Sequence, residues 1–458
     1  MITVVGAGPA GLAAAWRAAR AGHQVLVVER AGQVGGMAGS FEIAGLRVDH
    51  GSHRLHPATP PYVLAALRQL LGEDLQVRPR HGRIRLLDRW LGFPLKTGDL
   101  LRNTPRGFAL RAARDALLSP VRSARADTFA EVIRAGLGRA VLDAFYSPYA
   151  RKLWDAHPGD LAGELARRRV SATSPLDIVR RLGRSTRPDG QTFLYPRRGF
   201  GAIPEILAEA AVDAGATIRL GCGLRGIRAD RGGWDLDLDD GTSVATRHVW
   251  STAPLTALAR MTEPRPPPAA LHAVERLRHR AMVLLYLVLD RSPWTEFDAH
   301  YFPGPEVLAS RVSEARNYRD NPEDPPDLTV LCAEIPCWEG DEIWQAPDEL
   351  LAHRLETELT ALSLPACRPV QVESRRLRRV YPVYRPGFAD DLTDLEAWTA
   401  TLPDLVSFGR QGLFTPDNTH HALMMGWAAA EALDPSGAFD AAAWTEARDG
   451  FRSFVVED

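Results

Sequence analysis

Apolar residues fall into short runs near the amino terminus and into longer, more broken stretches further on. Residues 2–5 are a short, mainly apolar run, residues 12–21 are alanine-rich helix formers ending at Gly22, and residues 24–28 read as a second strand closing on Glu29. This pattern predicts strand, helix, strand. Later, 205–214 reads as a helix and 217–220 as a strand, while 227–229 and 234–238 read as a meander turning at Asp239-Asp240-Gly241. Residues 247–251 return as a strand. Between these pieces, residues from about 76 to 190 are rich in arginine and alanine with helical periodicity in places. Residues from about 275 to 390 carry β-like runs at 282–289 and 328–335. Residues 264–268 and 321–326 are proline-rich and read as loops.

Composition adds exclusions. The chain has 458 residues, 45% of them hydrophobic and 24% charged, enough apolar content for more than one core and too much for wholesale disorder. Fifty-five basic against 57 acidic side chains give a net charge of -2, so no global pull toward nucleic acid is expected. Nearly all the basic residues are arginine, Lys96 and Lys152 being the lysines, and few positions can therefore supply an amine. Cys222, Cys332, Cys337 and Cys367 show no metal-ligand spacing, which argues against a zinc site or a disulfide framework and fits a cytoplasmic protein. No signal peptide and no stretch of about 18 apolar residues is expected.

The sharpest chemistry lies in the first turn. Gly6-Ala7-Gly8-Pro9-Ala10-Gly11 joins the first strand to the helix. Its glycines allow a tight turn, close backbone approach to a pyrophosphate, and packing of helix on strand. The helix N-terminus adds donors and positive potential. Glu29 ends the second strand where an acid can accept hydrogen bonds from an adenosine ribose, and its charge disfavours a 2′-phosphate. Gly221-Cys222-Gly223-Leu224-Arg225-Gly226 has the same spacing, but strands rather than a helix follow it, so it is not read as a nucleotide turn.

After Glu29 and Arg30 a second glycine cluster follows, Gly35-Gly36-Met37-Ala38-Gly39-Ser40. Together with the first turn and the acid it resembles the flavoproteins with two dinucleotide-binding domains. The resemblance implies an α/β fold, a Rossmann-type, glutathione reductase-like FAD-binding domain with an inserted α+β substrate domain. The FAD domain is then discontinuous over 1–75, 190–275 and 390–458, and the substrate domain takes 76–189 and 276–389. Arg30, Gly36, Met37, Ala38 and Leu224 join the glycine turn as cofactor-binding candidates.

Further segments resemble the FAD-dependent amine oxidase, protoporphyrinogen oxidase and UDP-galactopyranose mutase superfamily, most of all its mutase branch. Gly51-Ser52-His53-Arg54-Leu55-His56 is similar to a stretch that passes beside the flavin. The resemblance implies cofactor contacts from Gly51, Ser52 and His53, and catalytic roles for His53 and His56, because a neutral imidazole can hydrogen-bond flavin N5 or O4. Phe93-Pro94-Leu95 resembles a substrate loop, Tyr149-Ala150-Arg151-Lys152-Leu153-Trp154 a helical substrate segment, and Tyr381-Pro382-Val383-Tyr384 a segment whose tyrosine touches a substrate phosphate. Phe93, Trp154, Tyr381 and Tyr384 are therefore substrate candidates. Arg311 is a candidate for both substrate binding and catalysis.

Gly409-Arg410 and Asn418-Thr419-His420 resemble the final FAD motif, with His420 standing where an aspartate is common. Of the two clamping arginines of the mutases, Arg311 fills the place of the second, and the first, a few residues beyond the Lys-x-Trp segment, falls near Ala172, with Arg167 to Arg169 close by. No cysteine follows Cys367, so the FAD is expected to be noncovalent. The expected activity is hydride transfer from a small organic substrate to flavin N5, with O2 or another acceptor reoxidising the flavin. The alternatives are a redox-neutral mutase acting on a nucleotide sugar through flavin N5, and a flavin-binding protein without catalysis.

Overall fold

The computed structural model describes residues 1–94, 103–118, 126–170 and 192–456. Lys96 and Ala172 lie outside them, as does the end of the Phe93-Pro94-Leu95 loop.

The fold is mixed α/β around a parallel sheet. Strand β1 (Ile2–Val5) pairs in parallel with β2 (Val25–Val28) on one side and with His248–Ser251 on the other. Thr217–Arg219 and Leu405–Ser407 complete five parallel strands. All four residues of β1 are buried, as expected of a central strand covered on both faces, so a continuous buried run with Thr3 its one polar member replaces alternation. Helix α1 (Pro9–Arg20) starts with proline at its first turn, where a missing N–H costs nothing. Its alanines bring it close to the helix Thr419–Glu431, where a Cβ on Gly426 would stand 2.3 Å from the Ala10 carbonyl oxygen. That close contact packs the first turn of α1 against the middle of the later helix.

A second, seven-stranded sheet carries the rest of the cavity wall. Its order is Gln371–Pro382, His279–Leu289, Thr329–Cys337, Arg311–Glu314, Ala299–Tyr301, Gly82–Leu86, Arg89–Phe93. From Ala281 to Leu289 the second of these strands is apolar throughout, because both of its faces are covered. Ala281, Val283, Leu285 and Leu287 pack toward the helix Asp348–Ala361, and Met282, Leu284 and Tyr286 pack toward Ile43, Leu46 and Val48.

The first insert is helical in places, at Arg106–Leu118, Phe129–Leu137, Ser147–Trp154 and Gly163–Arg169, but it opens on strands that its composition did not suggest. Leu75–Pro79, Gly82–Leu86 and Arg89–Phe93 are strands, and the last two form a hairpin through Leu87 and Asp88 at positive φ. The arginines hid this. Arg83 lies between the Trp90 and Phe297 rings, 4.2 and 4.3 Å from their centroids, so it behaves as part of a packed face. Among the described residues no helix is long and apolar enough to cross a membrane.

Candidate flavin site

One cavity of about 510 Å³ lies between the two sheets. From the dinucleotide side its wall includes Gly6, Gly8, Pro9, Ala10, Glu29 and Arg30, then Gly36, Met37, Ala38 and Leu224, and later Gly409, Arg410, Asn418 and Thr419. The strand-turn-helix geometry explains the first of these. Gly6 sits at φ +103, and a Cβ there would lie 2.3 Å from Thr252 Oγ1. Gly11 is not in the wall, and its work is packing: a Cβ would stand 2.1 Å from the Gly6 carbonyl oxygen. Gly8 differs from both, since a Cβ there meets no atom within 4 Å and would protrude into open space. Glu29 accepts the Ala7 and Ala31 amides at 2.8 Å each, which aims its carboxylate across the turn.

Two observations test the site for a flavin dinucleotide. The glycine cradle leaves room along the backbone at Gly8, as close approach of a diphosphate requires. Arg410 donates to the Asp417 and Val380 carbonyls at 2.9 and 2.7 Å, while its Nε is buried with no partner among the described residues. A buried, unsatisfied guanidinium N–H in a cavity wall suits an anionic ligand. The residues present therefore fit FAD. None of the four cysteines, all buried free thiols, lines the cavity.

The other part of the wall carries Gly51, Ser52, His53 and His56 with Arg54, Arg80, Tyr149, Arg169, Tyr301, Arg311, Glu334 and Tyr381. His53 Nε2 lies 3.0 Å from the His50 carbonyl oxygen, and the ring stacks on Phe200 at 5.1 Å. A carbonyl only accepts, so Nε2 carries the proton and Nδ1 is left as an acceptor. Burial pushes the His53 pKa down, with Asp49 and Glu334 opposing, and the ring is neutral at neutral pH. His56 Nδ1 accepts the Ala58 amide at 3.0 Å.

Arg311 is not a bare cation. It donates to Glu334 through Nε at 3.0 Å and through Nη2 at 2.6 and 2.9 Å, and Nη2 also reaches the Ser52 carbonyl at 3.1 Å. Arg54 is similarly held, by Asp298 at 2.9 Å and the Tyr301 hydroxyl at 2.8 Å. The Tyr381 ring lies against Arg169 and Arg410, whose guanidinium carbons are 5.3 and 5.6 Å from its centroid.

Besides Gly11, four candidates stand away from the wall. Trp154 is 1% exposed and packs on Phe129 and Tyr149 in the helical core. Tyr384 donates its hydroxyl to the Phe414 carbonyl at 2.8 Å and stacks on Phe388. Phe93 packs on the Tyr301 ring, one layer behind the cavity. His420 is buried beside His421, and the carboxylate at this end comes from Asp417, whose pKa burial raises. Lys152 bonds the carbonyls of Phe302, Val307 and Ala309 at 2.6, 2.7 and 3.2 Å. Glu334 and Asp417 were missed by sequence reasoning. Glu334 carried a usable signal, being the one charge inside an otherwise uncharged strand, Thr329–Cys337.

Known proteins share this fold. AofH of Mycobacterium tuberculosis, named as a flavin-containing monoamine oxidase, is 27% identical over 286 residues, which cover 58% of this chain and 60% of AofH. The chain thus matches less than two thirds of that relative's length. A reduced UDP-galactopyranose mutase superposes with a TM-score of 0.78 at 21% identity, covering 94% of this chain and 93% of the mutase. A protein from Exiguobacterium sp. 255-15 named as a protoporphyrinogen oxidase gives 0.72 at 20% identity, over 98% of each chain. Putrescine oxidase bound to putrescine gives 0.65 at 17%, over 94% of this chain and 98% of the oxidase. At these identities the structures show a shared fold. Residues 9–433 match the family model of flavin-containing amine oxidoreductases, so the chain belongs to that family and its cofactor is FAD.

Proposed function

We propose that the protein is an oxidoreductase that holds FAD noncovalently, passes a hydride from a small organic substrate to it, and is reoxidised by O2 or another acceptor. The observation that carries this reading is the single cavity in which the glycine cradle and the polar wall of the seven-stranded sheet meet. FAD supplies the electron chemistry. The chain's residues bind, orient and exclude water. Gly6, Gly8, Gly36 and Arg410 hold the diphosphate, and Glu29 the ribose. Asn418 and Thr419, at the start of a buried helix, place its positive end against the cofactor. His53 presents a neutral acceptor, Nδ1, and Ser52 a turn fixed from both sides. Tyr381 and Arg169 orient the substrate.

A second reading is a redox-neutral rearrangement of a nucleotide sugar. What supports it is charge: the cavity wall carries more arginines than carboxylates, including Arg54, Arg80, Arg169, Arg311 and Arg379 against Glu29, Glu334 and Asp417. Such a wall favours an anionic substrate. One experiment separates the two. The FAD-loaded protein is mixed anaerobically with candidate substrates, and bleaching of the flavin colour in step with product is expected for the oxidoreductase. Conversion of a nucleotide sugar only after dithionite reduction, with no net oxidation, would replace the first reading by the second.

A further inference from the structure

Glu334 is 3% exposed in the middle of a strand whose nine residues are all buried. It pairs across the sheet with Leu284, which also lines the cavity, so the carboxylate points to the cavity side. There it makes two kinds of bond. Oε1 accepts the Ser52 amide N–H at 2.8 Å, and both oxygens accept from Arg311. Arg311 in turn donates to the Ser52 carbonyl. The pair therefore grips one residue, Ser52, by both its main-chain polar groups. The preceding residue, Gly51, is at φ +90, and a Cβ there would lie 3.4 Å from Glu334 Oε1. The turn and the carboxylate are thus fitted to each other.

Stability alone does not call for this pair, since a well-packed apolar pair of similar volume is often as stable as a buried ion pair. What an apolar pair could not do is hold Ser52 and cancel a charge. The neighbouring cation Arg54 is also balanced, by Asp298, so the two arginines at this turn each have a carboxylate partner.

We propose that Glu334 is a positioning residue that fixes the Gly51–Ser52–His53 turn and neutralises Arg311, and that it thereby sets the reduction potential of the bound flavin. The inference rests on the flavin ring reaching this wall, and not on which reaction the enzyme performs. Reduction adds negative charge to the ring, so an unbalanced Arg311 favours the reduced form.

The test uses the FAD-loaded protein without substrate, equilibrated with reference dyes. Glu334→Gln keeps the shape and an acceptor for the Ser52 N–H. It is expected to shift the reduced-to-oxidised ratio at a fixed potential toward reduced by at least about tenfold. Glu334→Asp, which retains the charge, should stay near wild type. Arg311→Met combined with Glu334→Gln removes both charges and should return most of the shift. A Glu334→Gln protein that holds FAD at the wild-type potential overturns the proposal and leaves the pair a purely structural bracket. A double variant no nearer wild type than Glu334→Gln also overturns it. If the wild-type protein takes up no FAD, it is the cofactor reading that fails, which is seen before any variant is compared.

Discussion

Gly8 and Gly11 belong to one six-residue turn, yet adding a methyl group should do opposite things at the two positions. At Gly8 the backbone is extended, φ -82 and ψ 177, which any residue adopts, and the added Cβ touches nothing. The apo fold should gain about 0.4–1 kcal/mol from a less flexible unfolded chain and lose a similar amount because alanine caps a helix poorly. Its stability should therefore change by less than about 1 kcal/mol. The methyl group does occupy the space through which a diphosphate approaches the backbone, and crowding of this kind costs about 1–3 kcal/mol. FAD should bind roughly five- to 150-fold more weakly. At Gly11 the same methyl group meets the Gly6 carbonyl oxygen at 2.1 Å and Val4 Cγ1 at 3.2 Å, so backbone must move whether or not cofactor is present. A cost of about 1–3 kcal/mol corresponds to a fall of roughly 2–12 °C in melting temperature. Thermal melts of the apo proteins and titration with FAD followed by fluorescence measure both quantities. If Gly8→Ala binds FAD like wild type, or if both variants melt alike without cofactor, the division between cradle and packing glycine is wrong.

Acid should destabilise the fold through two buried histidines. Burial holds His279 and His300 at about 3, below the ordinary 6.5, so the unfolded chain takes up protons that the folded one refuses. Their stability contribution is full above about 6.5 and is lost as pH falls toward 3, by about 1.4 kcal/mol per pH unit for each histidine. His300→Phe, in its nest of Trp90, Trp294 and Phe297, should flatten the slope of denaturant stability against pH, and an unchanged slope would count against the assignment. Lys152→Met removes the donor for three carbonyls and should cost about 2–4 kcal/mol in chemical denaturation. FAD affinity should hold, and a selective loss of cofactor binding would show that Lys152 acts at the flavin. Tyr381→Phe keeps the ring against Arg169 and Arg410, so FAD binding should persist while kcat/KM falls about tenfold or more. Unaltered kinetics would remove Tyr381 from the substrate site.

The sequence by itself determined the strand, turn, helix and strand of residues 2–29, because apolar runs, glycine positions and one closing acid are all local properties. The failed second match at Gly221–Gly226 was legible for the same reason, since no helix former follows it. The apolar runs at 282–289 and 328–335 also identified the strands His279–Leu289 and Thr329–Cys337, because burial on both faces leaves an unambiguous signature.

The tertiary structure decided what stands opposite that turn. Ser52 and Glu334 meet across 282 positions of sequence, and Arg311 joins them through sheet register, which pairs it with Glu334 on the adjacent strand. No periodicity announces such a meeting. Trp154 and Tyr384 lie in segments that resemble substrate-binding motifs, yet their rings fill the core, while Tyr149 and Tyr381 in the same segments reach the cavity. A motif of this kind conveys which residues travel together. Which of them faces the ligand depends on how its helix or strand is rotated against its neighbours, and long-range packing fixes that rotation.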